Sequence, residues 1–83
     1  MIRFSGHALK RAKERGVEPE QVELVIREPA EVIYVKFGRK AAFRQFGGKY
    51  IVVIYEERNN EIVVVTTLNV DRKRLIGHGF GGV

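Results

Sequence analysis

His7, Arg11 and Arg15 recur at every fourth position near the start of the chain. On a helix such residues climb one side, turning about 40° per step, so an imidazole and two guanidiniums form one stripe. That combination suits phosphodiester chemistry. Histidine exchanges a proton near neutral pH, and arginine binds phosphate oxygens through paired N–H groups. The plainer reading is an ordinary basic helix face with a histidine in its first turn. Ala8, Leu9 and Ala12 centre roughly 150° from His7 and 70° from Arg15, which puts Arg15 nearest the core boundary.

A second group of cations lies further along. Lys36, Arg39, Lys40, Arg44 and Lys49 follow one another with no acid between Glu31 and Glu56. A strand face carrying Arg44 and Tyr55, with Lys36 and Lys40 beside it, would join cations to an aromatic ring. Such a surface suits RNA, whose bases stack on rings while phosphates meet cations. Charge on edge strands that keeps sheets from aggregating accounts for the same residues. Thr66 and Thr67 close an otherwise apolar run and read first as strand formers. His7 and His78 are the only histidines, and no triad or metal-ligand spacing occurs. Metal-independent chemistry with no cofactor is expected.

The elements that must hold these residues are legible in order. Ser5 is a good N-cap, and residues 6–15 lack helix breakers up to Gly16, which predicts a first helix. Pro19 at a first helical position, Gln21 at the third and a Val17–Val22 staple predict a second helix over 19–28, stopped by Pro29. The hydrophobic period then changes to two. Segments 31–37, 40–46, 49–57 and 61–69 are rich in Val, Ile, Tyr, Phe and Thr, and Gly38-Arg39, Gly47-Gly48 and Asn59-Asn60 separate them. Connections this short join antiparallel neighbours, so the four strands form a meander. The fold class is α+β: two N-terminal helices on a four-stranded antiparallel meander sheet, with residues 2–4 available as a short edge strand. One face should lie under the helices and the other meet water or ligand. Alternation along the last strand groups Ile62, Val64 and Thr66 on one face.

Length and composition bound the possibilities. The 83 residues make one small domain, assigned to residues 1–70, and the Gly-rich stretch 71–83 reads as a flexible tail. A chain of this size supports a shallow groove, not a large enclosed chamber. With no cysteine there is no disulfide framework and no thiol chemistry. No apolar run is long enough to cross a bilayer and no secretory signal opens the chain, so a soluble, cytoplasmic protein with no membrane partner is expected. The net charge of +5 is uneven: residues 18–31 carry five acids and one base, and 32–55 carry five bases and no acid. Basic segments that meet in space would attract phosphate.

The run Phe4-Ser5-Gly6-His7-Ala8, then Arg11, then Arg15-Gly16-Val17, with Val64-Val65-Thr66 near the other end, resembles a family of small prokaryotic domains. Those domains open on F-S-x-H-A-x2-R-x3-R-G-[IV] and carry V-[VI]-T near the carboxyl end. They are grouped with the RelE-like toxins, in a wider fold group that includes barnase-like ribonucleases. The resemblance implies helices packed on an antiparallel sheet and a metal-independent endoribonuclease in which the ribose 2′-hydroxyl attacks the adjacent phosphate. By it, His7 would be the general acid or base, Arg11 and Arg15 would position the phosphate, and Thr66 would line the site. The implied substrate is RNA, translated message in particular, and the implied partner an antitoxin protein laid across the basic groove. Where many members have an aromatic two residues after the threonine, this chain has Leu68, which removes any stacking or proton role there. A non-catalytic RNA-binding module and a small protein-interaction domain are the two readings from other classes.

Overall fold

The computed structural model describes residues 1–81. In chain order the elements are β1 (Ile2–Phe4), α1 (Gly6–Glu14), α2 (Pro19–Arg27), β2 (Glu31–Val35), β3 (Arg39–Phe46), β4 (Lys49–Arg58), β5 (Glu61–Val70) and α3 (Arg72–Gly77). The capping signals act as their residue types predict. Ala8 N donates to the Ser5 hydroxyl at 3.2 Å, and Glu18 N donates to the Gln21 side chain at 2.9 Å. Helix α1 ends in a Schellman turn: Gly16 takes φ +68°, while Val17 N donates to Ala12 O at 2.8 Å and Gly16 N to Lys13 O at 3.2 Å. Glycine adopts that left-handed conformation without a Cβ clash, which leaves Arg15 as the C-cap residue of α1.

The fold class is α+β, with an architecture that differs from the expected one in three respects. The four-stranded antiparallel meander and the short edge strand at 2–4 are present, but that strand, β1, pairs parallel to β5, so the five-stranded sheet is mixed, in the order β1-β5-β4-β3-β2. Three residues suffice to align it, because Ile2, Arg3 and Phe4 lie opposite Ile62, Val63 and Val64. The helix that follows immediately is what makes the parallel direction possible, since α1 carries the chain onward over the sheet.

The second difference is a β-bulge. Ile54 lies opposite Thr66, whereas the next residue, Tyr55, lies opposite Val64, so Val65 has no partner. One extra residue inverts the alternation. Val64 and Thr67, which simple alternation would separate, therefore share the face under the helices, and Thr66 turns to the other face with Ile54 and Leu68.

The third difference concerns the second face. It is not open to solvent along its length. Residues 71–81, within the stretch whose glycines suggest a flexible tail, form α3 and return Leu75 and Phe80 to the sheet at 0% and 2% exposure. The last two positions of that expected tail, 82–83, lie outside the described residues. Asp71 N-caps α3 through a 2.8 Å bond from Arg74 N. Phe80 packs edge-on against Phe43, with ring centroids 4.7 Å apart. Burying two side chains of this size stabilises by about 1.5–3 kcal/mol each. The sheet thus separates two cores. Ala8, Ala12, Val17, Val22 and Val25 of the first two helices meet Ala42, Ile51, Val53 and Val64 on one side, while Leu75 and Phe80 meet Ala41, Phe43, Val52 and Val70 on the other. None of the described helices is long and apolar enough to cross a membrane.

Candidate active site

Strand β1 stops at Phe4, opposite Val64, and Ser5 N closes that pairing by donating to Val64 O at 3.1 Å. Beyond that point the outer edge of β5 has no strand neighbour among the described residues, and its backbone groups need other partners. Helix α1 supplies them. The Arg15 guanidinium donates through Nη1 to the Thr67 carbonyl at 2.5 Å and to the Thr66 hydroxyl at 3.4 Å. The Asn69 amide returns a bond to the Arg15 carbonyl at 3.1 Å. Nε and Nη2 of Arg15 have no hydrogen-bond partner among the described residues.

Around this free edge lies an open cleft of about 720 Å³. Arg15 and Asn69 line it from the α1 side, Leu68 and Val70 form its apolar floor, and Arg74 and His78 line it from α3. Arg74 and His78 are four residues apart, one turn of helix, and His78 is the C-cap of α3, with its N–H donating to Arg74 O at 3.1 Å. Two guanidiniums and an imidazole therefore converge on one depression, and the Thr66 hydroxyl lies beside it. No carboxylate of the described residues is among those walls. The Asn69 side-chain oxygen is buried there without a hydrogen-bond partner among the described residues. An anion with several oxygens, such as a phosphodiester, matches the charge of the two guanidiniums, while the Asn69 oxygen, an acceptor, calls for a donor such as a hydroxyl.

The helical stripe does not converge on the cleft as a whole. Arg15 and Thr66 are brought together, as the family resemblance implies. His7 and Arg11 are exposed on α1 and do not line the cleft; His7 sits eight residues back, about 12 Å along the helix axis. Arg11 instead faces Glu14 at 3.9 Å.

The expected basic and aromatic sheet face is also rearranged. Tyr55 is 6% exposed and belongs to the core beneath the helices, so it offers no ring to a base; burial pushes its hydroxyl pKa up. The inversion of its surroundings follows from α1 and α2 covering that face. Arg44 donates to Glu28 O at 2.8 Å, satisfying a carbonyl at the end of α2. Lys40 pairs with Glu57 and lies 5.4 Å from the Tyr34 ring; the bond to Glu57 holds its ammonium pKa above the ordinary value. Arg39 and Arg58 both pair with Glu56, and these bonds, Arg58 foremost, hold that carboxyl below its ordinary value. Lys36 is exposed and makes no ion pair among the described residues.

Arg74, His78 and Asn69 are the cleft residues that sequence reading missed. The signal was present: Asp71 as an N-cap, apolar Leu75 and Phe80, and cationic or titratable residues four apart at 74 and 78. Glycines at 77 and 79 concealed it by suggesting disorder. Gly79 instead takes φ +102° just after the helix, a C-terminal use of glycine.

Residues 4–75 match the family model of a domain of unknown function, DUF4258, and the chain belongs to that family. The match takes in both the Arg15 end of α1 and the Arg74 turn of α3. No curated protein and no solved structure matches the chain.

Proposed function

We propose that this protein is a metal-independent endoribonuclease of the RelE-like toxin type, acting on RNA, with its chemistry in the cleft at the free edge of β5. The observation that carries this reading is the convergence of Arg15, Arg74 and His78 on one open depression beside the Thr66 hydroxyl. The unengaged N–H groups of Arg15 and the guanidinium of Arg74 hold the non-bridging oxygens of a phosphodiester and offset the charge that grows on them. The imidazole of His78 accepts the proton of the ribose 2′-hydroxyl. The 2′-oxygen then bonds to phosphorus and the P–O5′ bond breaks, leaving a 2′,3′-cyclic phosphate and a 5′-hydroxyl that takes its proton from water. In this arrangement His78 fills the proton-transfer role that the opening motif suggested for His7. An antitoxin partner would cover the same cleft, and an acidic segment would complement its walls.

The test is cleavage of a labelled single-stranded RNA in EDTA by wild type, His78→Ala and His7→Ala, with binding followed on the same samples. Cleavage should persist in EDTA, fall by about 10²- to 10⁴-fold in His78→Ala and survive in His7→Ala. Equal cleavage by wild type and His78→Ala would remove His78 from the mechanism. Salt-sensitive binding without cleavage in any variant would make the domain an RNA-binding module.

A further inference from the structure

Among the described residues, Tyr34 and Phe37 are the aromatic side chains left in solvent, at 80% and 84% exposure. They stand three positions apart, where β2 turns into β3. Each has a cation over its ring: Lys40 Nζ lies 5.4 Å from the Tyr34 centroid, and the Arg39 guanidinium 5.7 Å from that of Phe37. Those cations are held in turn. Glu57 pairs with Lys40, and Glu56 with both Arg39 and Arg58. Phe37 also sits at φ +64°, a left-handed conformation that costs a bulky residue free energy. Backbone cost of this kind gathers at ligand-binding positions.

The charge around the rings decides what fits them. At this end of the sheet Arg3, Lys36, Arg39, Lys40 and Arg58 stand against Glu56, Glu57 and Glu61, so five cations face three carboxylates. Lys36, next to Phe37, is exposed and makes no ion pair among the described residues, and the Arg58 side chain is 67% exposed beside Glu56. An apolar protein surface laid over the rings would desolvate these cations without giving them partners. A single strand of RNA gives them phosphates, and its unpaired bases stack on the rings. A duplex keeps its bases stacked on one another and offers the rings nothing.

We propose that the β2–β3 turn is a second RNA-binding subsite, in which unpaired bases of a single strand stack on Tyr34 and Phe37 while Lys36 and Arg58 meet the flanking phosphates. The subsite rests on the reading that RNA is the ligand and not on cleavage. Strand β2 lies three strand spacings from β5, about 14 Å, so the turn holds the strand away from the phosphate bound in the cleft. Stacking of this kind accepts any base, so the turn adds affinity and leaves discrimination between bases to the cleft. It also supplies the exposed rings that buried Tyr55 does not.

The chain has no tryptophan, so Phe37→Trp sets a single fluorophore at the turn, and Leu9→Trp sets one on the exposed side of α1 as a control. The probe is a single-stranded RNA of about twelve residues, 2′-O-methylated so that cleavage does not shorten it. It should quench Phe37→Trp and leave Leu9→Trp unchanged. Replacing both rings, Tyr34→Ala with Phe37→Ala, should weaken binding of the same strand by about tenfold or more, read by fluorescence anisotropy. A thermal melt checks that the paired variant folds, and cleavage of a dinucleotide, too short to reach the turn, should be as in wild type. Quenching with no cleavage by any variant would keep the subsite and remove the ribonuclease reading. An unquenched Phe37→Trp, or unchanged affinity in the paired variant, would overturn the subsite whatever the cleavage assay gives. Wild type that binds no RNA would overturn it too, as would quenching by anionic phospholipid vesicles in place of RNA, which would give the rings to a lipid surface.

Discussion

The guanidinium of Arg15 donates to the backbone carbonyl of Thr67, and the two residues are 52 positions apart in the chain. That bond ties the end of the first helix to the strand edge that β1 leaves unpaired. It also fixes one wall of the cleft in which the chemistry is proposed. Arg15 is therefore both a structural tie and a cleft residue, and its substitution has two separable consequences.

Arg15→Ala should lower stability by about 1.5–3 kcal/mol, the usual range for losing a hydrogen bond to a charged donor. Urea denaturation measures this directly. Arg15→Lys should recover only part of it, because the lysine side chain ends one bond short of the Nη1 position that serves both Thr66 and Thr67. A lysine variant as stable as wild type but without cleavage would separate the phosphate-binding role from the tie.

Thr67 is fully buried, and its hydroxyl has no partner among the described residues. Valine has nearly the same shape and no polar group to desolvate. Thr67→Val should leave stability unchanged or raise it by about 1 kcal/mol. A loss of more than that, read from the denaturation midpoint, would mean that the hydroxyl is bonded in solution.

At Phe37 the ring is exposed while the backbone sits at φ +64°, so the residue bears conformational cost against one exposed contact, with the Arg39 guanidinium 5.7 Å from the ring centroid. Phe37→Gly should stabilise the protein by about 1 kcal/mol. The midpoint of a urea denaturation curve reads the change, and a loss of stability would mean that the ring's contact with Arg39 outweighs the backbone cost.

The shifted groups set the limbs of the stability profile. Glu56 is held below its ordinary pKa by Arg58 and Arg39, so its contribution is present above pH 4.5 and is lost as pH falls through the lowered value. Tyr55 is raised by burial, so its contribution is present below pH 10 and is lost as pH climbs towards the raised value. Glu56→Gln should flatten the acid limb and Tyr55→Phe the alkaline one. Chemical denaturation at a series of pH values reads both, and an unchanged alkaline limb in Tyr55→Phe would assign that loss to the Lys40–Glu57 pair instead.

Local signals carried most of the element boundaries. Ser5, Gly16, Pro19 and Pro29 delimit two helices, because capping, left-handed backbone and a missing N–H are properties of one residue and its immediate neighbours. Short turns made the meander β2 to β5 antiparallel for the same local reason. The Gly-rich end misled because glycine permits disorder and also permits the turn that lets Phe80 fold back onto Phe43. Only the sheet, with an uncovered apolar face at Phe43 and Val52, distinguishes these outcomes.

The chain by itself determined that α1 would carry Arg15 near its buried side and that Thr66 would lie on an apolar strand. It also determined that a basic, cysteine-free domain would offer a groove and not a chamber. Tertiary structure decided which of those residues meet. The parallel pairing of β1, the unpaired Val65 and the return of α3 each depend on contacts between distant segments, and no spacing within one element encodes them. Hence Arg15 and Thr66 join His78, a residue 63 positions beyond Arg15, while His7, on the same helix, stands apart.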